Sequence, residues 1–194
     1  PSHTFTKITP GAAEVKKYTD PDLGLKEIQI EVKSEAQSVK VSVTKYDEKP
    51  AAVSIEKTGK TYQYIQIKVD NIGDKLDKAK ISSKVKKTWV SDNGLNKEDV
   101  ALFKYDESAN KWNELTTTFN SEDDTYYYYD AEVTSFSYFA VSERVVVTAT
   151  GEEVGVSDEK TTPTRDTGNT WIWIVVGVIV LAAIISGVMY KKRQ

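Results

Sequence analysis

The stretch YQYIQIKV, residues 62–69, and the stretch LKEIQIEV, residues 25–32, decide the fold class. In both, apolar and polar side chains alternate over most of the length. Successive side chains of a β-strand point to opposite faces of a sheet, so this period of two predicts strands with one buried face. The chain is therefore expected to be all-β.

The same interpretation extends to further short segments on both sides of these two. They combine apolar residues with polar turns at residues 58–60, 70–73 and 107–110, and they cover residues 39–43, 52–56, 79–86, 100–105, 111–118, 125–133 and 137–147. Eight or nine short strands of this kind predict an antiparallel β-sandwich with Greek-key-like connections. One short helix is expected at residues 88–93, with Thr88 as its N-cap and Gly94 as its left-handed stop.

The composition excludes several kinds of site. The chain has 194 residues, no Cys and a single His, His3. Disulfides, thiolate metal sites and cysteine nucleophiles are thereby excluded, and one imidazole leaves little scope for zinc or His-dependent catalysis. Phosphate-binding loops, dinucleotide fingerprints and nucleophile elbows are also missing. We expect no enzyme, no catalytic residue and no cofactor.

The charge is distributed unevenly along the chain. The net charge is −3, but residues 1–170 carry 23 Lys and Arg against 29 Asp and Glu. A mildly acidic body of this kind argues against a nucleic acid as the partner.

Residues 171–190, WIWIVVGVIVLAAIISGVMY, form the longest apolar run. At about 1.5 Å per residue, twenty uncharged residues span roughly 30 Å, the thickness of a bilayer core. We predict a transmembrane helix whose basic end is cytoplasmic, because positive charge favours the inner side. The predicted anchor residues are Trp171, Trp173 and Tyr190 at the two interfaces, followed by Lys191, Lys192 and Arg193.

Four parts of the chain follow from this orientation. They are an outer β-sandwich at residues 1–147, a Thr-, Gly- and charge-rich stalk at 148–170, the membrane helix at 171–190 and the basic tail at 191–194. An outer domain needs an export signal, and the sequence begins Pro1-Ser2-His3 without one. We therefore expect a processed product or the C-terminal portion of a longer surface protein.

The most unusual local feature is a run of four consecutive tyrosines, Tyr126, Tyr127, Tyr128 and Tyr129. In a strand, two of the four must face away from the core, where a Tyr pair offers a contact surface for a glycan or a neighbouring protein. The alternative, which strand propensity favours, is that Tyr is simply a good strand residue whose hydroxyl tolerates water. Two interpretations are likewise open for Trp112, a sugar-stacking platform or an aromatic core anchor, and burial in the core is favoured.

Acidic residues gather at two places. Residues 121–124, SEDD, precede the tyrosines, and residues 91–93 and 98–99 form a second acidic region. Calcium takes oxygen ligands of this kind, but neither region has the spacing of a calcium loop. Solvated turns are the favoured interpretation. A glycosidase pair is a weaker one, because nothing in the sequence places two carboxylates across a cleft.

Several motifs, in order, give the chain a family resemblance over residues 5–145. They are Ile8-Thr9-Pro10-Gly11, Val43-Thr44-Lys45 leading to Lys49-Pro50, Trp89 leading to Asn93-Gly94, Lys111-Trp112-Asn113-Glu114-Leu115, and Phe136-Ser137-Tyr138-Phe139-Ala140-Val141. In these the chain resembles the archaeal PGF-pre-PGF domain. The resemblance implies a membrane-proximal domain of a large cell-surface protein. No Pro-Gly-Phe motif precedes the apolar run, so it also implies anchoring by the chain's own helix rather than by sortase processing.

The expected function is that of a non-enzymatic pedestal or envelope module, associated with a surface layer, on the cell membrane. The alternative is a binding module for surface glycans or a neighbouring envelope protein. The expected partners are the lipid bilayer and other envelope proteins or glycans, with no nucleic acid. Small residues in the membrane segment, Ala182, Ala183 and Ser186, permit a homo-oligomer without signalling one.

Overall fold

The computed structural model describes residues 1–144. These residues form two antiparallel sheets with almost no helix, which confirms the all-β prediction. No helix within residues 1–144 is long and apolar enough to cross a membrane. The predicted stalk, membrane helix and basic tail lie outside the described residues.

Residues 1–144 contain eleven strands and one short α-helix. In chain order the strands are β1 (Ser2–Ile8), β2 (Glu14–Lys17), β3 (Leu25–Val32), β4 (Ala36–Tyr46), β5 (Thr61–Asp70), β6 (Leu76–Lys86), β7 (Val100–Asp106), β8 (Lys111–Glu114), β9 (Thr117–Glu122), β10 (Tyr126–Val133) and β11 (Tyr138–Glu143). The helix α1 (Lys87–Asp92) follows β6, and two single 3₁₀ turns lie at Gly73–Lys75 and Lys97–Asp99.

The strands divide into two sheets that share one core. The first has six strands in the order β1-β4-β5-β11-β7-β8, and the second has five in the order β2-β3-β6-β10-β9. Side chains at alternate positions of both sheets fill the space between them, among them Ile28, Ile30, Ile65 and Ile67. The alternation in β3 and β5 therefore predicted the inward faces correctly.

Three local predictions are wrong. Residues 52–56 form an irregular segment instead of a strand, and the predicted strand 111–118 is two strands, β8 and β9, that belong to different sheets. Thr88 lies inside α1, whose N-cap is Lys86 and which has no side-chain cap. Gly94 does end this helix region with a left-handed φ of 67°.

Two edge strands were absent from the prediction. Strand β1 pairs with β4, and β2 pairs with β3, each at one end of its sheet. Both contain few apolar residues, because an edge strand that is mostly solvent-exposed needs little apolar surface. Phe5 and Ile8 are the only side chains of β1 that are buried.

The side chain of Gln63 ties the two sheets together. It lies on β5, and its Oε1 accepts a hydrogen bond of 2.6 Å from the backbone N–H of Gly24, which precedes β3. Its Nε2 donates to the backbone oxygen of Asp22 at 3.0 Å. Gly24 leaves room for this contact, because a Cβ at this position would lie only 3.1 Å from that Oε1 and would require the amide to shift. A buried amide thus satisfies two backbone groups of the neighbouring sheet.

The substitution Gln63→Leu is expected to destabilise the protein. It leaves the buried N–H of Gly24 without its partner, at about 1–3 kcal/mol for an unsatisfied buried group, and it also removes the hydrogen bond to the carbonyl of the exposed Asp22. The measurement is urea denaturation of the full chain. The control is Gln37→Leu, an exposed glutamine whose amide contacts only Glu35. Equal stability of the two variants would contradict the proposed tie.

Candidate functional site

The four consecutive tyrosines lie on β10 and divide between its two faces, as alternation predicts. Tyr127 and Tyr129 point inward and pack edge-to-face on Phe119, at ring-centroid distances of 6.2 and 5.9 Å. Tyr129 is 1% exposed, and its hydroxyl donates to the backbone oxygen of Lys97 at 2.8 Å. Burial raises the pKa of Tyr129. This half of the run is therefore core.

The outward pair, Tyr126 and Tyr128, is half-buried, with ring centroids 6.3 Å apart. The hydroxyl of Tyr126 donates to the backbone oxygen of Pro21 at 3.1 Å. The Nζ of Lys26 lies 4.3 Å from the ring centroid of Tyr128, and the Nζ of Lys84 lies 5.2 Å from that of Tyr126. Cations at this distance are attracted to the ring. The pair already has intramolecular partners for its hydroxyls and for its rings.

Asp123 organises the acidic turn before β10. One carboxylate oxygen accepts the N–H groups of Thr125 and Tyr126, at 2.8 and 2.7 Å, and the other accepts the hydroxyl of Tyr128 at 2.5 Å. These hydrogen bonds, with that from Tyr128 the largest cause, lower the pKa of Asp123 to about 2. The same carboxylate raises the pKa of Tyr128 to about 12. Asp123 therefore serves the turn and the adjacent ring.

The calcium interpretation of the acidic regions gains no support from this geometry. Glu122 lies 3.1 Å from the Nζ of Lys87, and the oxygens of Asp123 accept three hydrogen bonds. Within the part of the chain that the structure describes, no three acidic or histidine side chains converge as a ligand set.

Charged pairs cover the rest of this outer face. Asp130 accepts hydrogen bonds of 2.6 Å from Ser82 and 2.6 Å from Asn120, and it lies 3.6 Å from the Nζ of Lys80. Glu132 pairs with Lys78 in the same way, at 3.7 Å. Beside them is a shallow depression of about 730 Å³, whose remaining carboxylate, Glu114, pairs with Arg144 at 3.2 Å. These carboxylates are thus neutralised by basic partners.

The outer face of the six-stranded sheet is different, because its part on strands β5, β7 and β11 is apolar and aromatic. Strands β5, β7 and β11 place on it Tyr64, Ala101, Phe103 and Ala140, all buried although they point away from the main core. Tyr46 and Trp112 pack against them. Continuous apolar runs such as VALF at the start of β7 are typical of strands buried on both faces, and that signal was available in the sequence.

The segment between β4 and β5, residues 47–60, covers this face; we call it the strap. Within the strap, the side chain of Val53 is fully buried. The N–H of Ser54 donates to the hydroxyl of Tyr105 at 3.2 Å, and the indole Nε1 of Trp112 donates to the backbone oxygen of Ile55 at 2.8 Å. The segment that was predicted as strand 52–56 is therefore part of the cover over a second, small core.

Lys57 is the charged residue of the strap, and it is only 7% exposed. Its Nζ lies 3.9 Å from the ring centroid of Phe103, donates to the backbone oxygen of Glu143 at 3.2 Å and also donates to that of Thr58. Burial lowers the pKa of Lys57, and the nearby Glu114 and Glu143 partly offset this. Two carbonyls and one ring face thus surround the ammonium group.

A cavity of about 250 Å³ opens where the strap meets β7 and β8. Its lining combines the rings of Phe103 and Trp112 with Ile55, Lys57, Asn110 and Lys111, and Glu56 and Thr58 complete the rim. Trp112 is half-buried, with its ring centroid 5.7 Å from Tyr64 and 5.2 Å from Tyr105. It belongs to the small core under the strap and not to the main core between the sheets.

Comparison with family models, with curated proteins and with solved structures finds no match to this chain. The functional argument therefore rests on the residues and on their geometry.

The substitution Asp123→Asn is expected to return the pKa of Tyr128 from about 12 towards its ordinary value of 10.0. The contact stabilises the fold between about pH 4 and pH 10, and that stability is lost as the pH rises towards 12 or falls towards 2. The measurement is an alkaline titration of phenolate absorbance, in which one more tyrosine of the variant titrates near pH 10.

The control for this titration is Asp124→Asn, which removes a neighbouring exposed carboxylate. A titration curve of Asp123→Asn that matches those of the control and the parent chain would rule out the carboxylate as the cause.

Proposed function

We propose that this chain is a non-enzymatic, membrane-anchored domain of the cell surface that acts as a pedestal within the envelope. The observation that carries the proposal is the order of parts within one short chain. A folded two-sheet unit at residues 1–144 is followed by an uncharged apolar run at 171–190, and aromatic and basic residues flank that run. This order fits a domain held at a membrane by one helix.

The resemblance to the PGF-pre-PGF domain supplies the proposed setting. It puts the domain next to the membrane of an archaeal cell, beneath adhesion-type domains or a surface layer, with Greek-key-like connections between its strands. The antiparallel two-sheet fold supports this proposal. The oligomeric state belongs to the same proposal, since small residues of the apolar run permit self-association.

A passive role is supported by the state of the charged side chains. The carboxylates beside the depression of about 730 Å³ pair with Lys or Arg, whereas an acid or nucleophile in catalysis must be available to a substrate. Both sheets are covered on their apolar faces, and the outer face of the five-stranded sheet is balanced by charge pairs. Such a surface suits a rigid support.

The alternative function is a binding module that uses Tyr126, Tyr127, Tyr128 and Tyr129. Its support is weaker, because Tyr127 and Tyr129 pack against the core and the hydroxyls of Tyr126 and Tyr128 already donate within the chain. A partner could use these hydroxyls only as acceptors unless it displaced Pro21 or Asp123. That these tyrosines form a partner surface stays a prediction.

The membrane orientation can be tested with single cysteines, since the chain has none. In intact cells, a membrane-impermeant maleimide is expected to label Ser34→Cys, an exposed site between β3 and β4. It is expected to label Gln194→Cys only after permeabilisation, because the basic end faces the cytoplasm. Labelling is read on a gel against the cysteine-free parent.

Two results would contradict the proposal. One is the opposite labelling pattern, with Gln194→Cys accessible in intact cells. The other is release of the chain from membranes by alkaline carbonate, which strips peripheral proteins and leaves transmembrane helices in place.

A further inference from the structure

We infer that the cavity beside Trp112 is a binding site for one pyranose ring of a glycan. The cavity lies between the strap and the edge of the six-stranded sheet, and we call it the Trp112 cavity. Four observations carry the inference: a rigid aromatic platform, an exposed apolar wall, uncommitted polar groups at the rim, and the size of the cavity. The inference does not depend on the membrane anchor.

The indole of Trp112 is held as a fixed platform. Its Nε1 donates to Ile55 of the strap at 2.8 Å, and its ring packs against Tyr64 and Tyr105. It is nevertheless only half-buried, and it lines the cavity. A side chain that is ordered before binding loses little conformational freedom when a ligand arrives. The apolar C–H face of a pyranose is complementary to such a ring.

Ile55 supplies the apolar wall beside the platform. It is 50% exposed, and within residues 1–144 only Val15 is comparable among the large aliphatic side chains. At the mouth of the cavity, this exposed side chain offers apolar surface that a ligand can bury. Since the backbone oxygen of Ile55 holds the indole, the wall and the platform have a fixed relation to each other.

The rim carries polar groups that a sugar hydroxyl can use. Asn110, with a left-handed φ of 48°, has its Oδ1 fixed by the hydroxyls of Tyr105 and Ser54, at 2.9 and 3.3 Å. This orients the amide, and its Nδ2 has no hydrogen-bond partner within residues 1–144. Lys111 and Glu56 are exposed and form no ion pair with another described residue.

The size and the charge of the cavity favour a single neutral ring. At about 250 Å³ it lies below the usual 300–1,000 Å³ of sites for drug-sized ligands. The ammonium of Lys57 already donates to two backbone oxygens and lies over the ring of Phe103. The other two charged side chains of the lining, Lys111 and Glu56, have opposite signs. A pyranose, with one apolar face and a rim of hydroxyls, matches aromatic, amide and charged groups together.

The test is saturation-transfer NMR on the full chain in micelles of a phosphocholine detergent, which lacks a sugar headgroup. The probes are the methyl pyranosides of glucose, galactose, mannose and N-acetylglucosamine. At least one is expected to bind with a Kd on the order of 1 mM, as suits a small ligand with few contacts. Transfer should be strongest to the C–H protons of one ring face.

The decisive variant is Trp112→Leu, which is expected to weaken binding about tenfold or more. The matched control is Tyr128→Leu, which removes a half-buried ring from the opposite sheet and is expected to leave binding unchanged. Since Trp112 also packs under the strap, folding of the variant is checked by its amide spectrum. Ile55→Asp, at a half-exposed site, provides a second variant and is expected to lose binding without loss of fold.

Several results would overturn the inference. They are no transfer to any of the four pyranosides at tens of millimolar, unchanged affinity in folded Trp112→Leu or in Ile55→Asp, or loss of binding in Tyr128→Leu alone. Transfer to free indole but to no pyranoside would identify a site for apolar rings and would equally overturn it. Because the readout is binding, it is separate from the labelling test of membrane orientation.

Discussion

The six-stranded sheet is apolar on both faces along its strands β5, β7 and β11, and the need for a second cover follows from this constraint. Its inward side chains, such as Ile65 and Phe139, fill the core between the sheets. Its outward side chains, Tyr64 and Phe103 above all, would be exposed without a second cover. Burial of apolar surface is worth about 25 cal/mol per Å², so an uncovered aromatic face would be costly. Residues 47–60 supply the cover.

The aromatic side chains on the outer faces of the two sheets are covered in different ways. On the five-stranded sheet, cations lie over Tyr126 and Tyr128, and carboxylates pair with lysines, so the face stays polar. On the six-stranded sheet, the strap packs over the aromatic rings, and the buried ammonium of its Lys57 lies over the ring of Phe103. The strap leaves part of Trp112 uncovered at the sheet edge, and the proposed sugar site lies there.

The sequence allowed prediction of those features that depend on neighbours in the chain. Alternation in β3, β5 and β10 indicated the strands and divided the tyrosines correctly between two faces. The partners of those tyrosines, such as Pro21 for Tyr126, lie far away in sequence and only the fold brings them together. Residues 52–56 resemble a strand in composition, but their apolar side chains serve the strap, where Val53 is buried outside both sheets.

The membrane anchor and the family resemblance are a different kind of prediction, since they rest on residues 171–190 and on motifs rather than on packing. The geometry of residues 1–144 bears on what the domain can bind. The outward hydroxyls of the tyrosine run are engaged within the chain, whereas Trp112 on β8, at the sheet edge, lines an open cavity.

The central claim is that the strap is a packed part of the fold, and amide hydrogen exchange of the full chain tests it most directly. The N–H of Val53 donates to the backbone oxygen of Pro50 within the strap, and the N–H of Ser54 donates to the hydroxyl of Tyr105 beneath it. We expect both to exchange more slowly than unstructured amides, because each is hydrogen-bonded within the folded strap. Exchange of both at unstructured rates, while the amides of β5 and β11 stay protected, would contradict it.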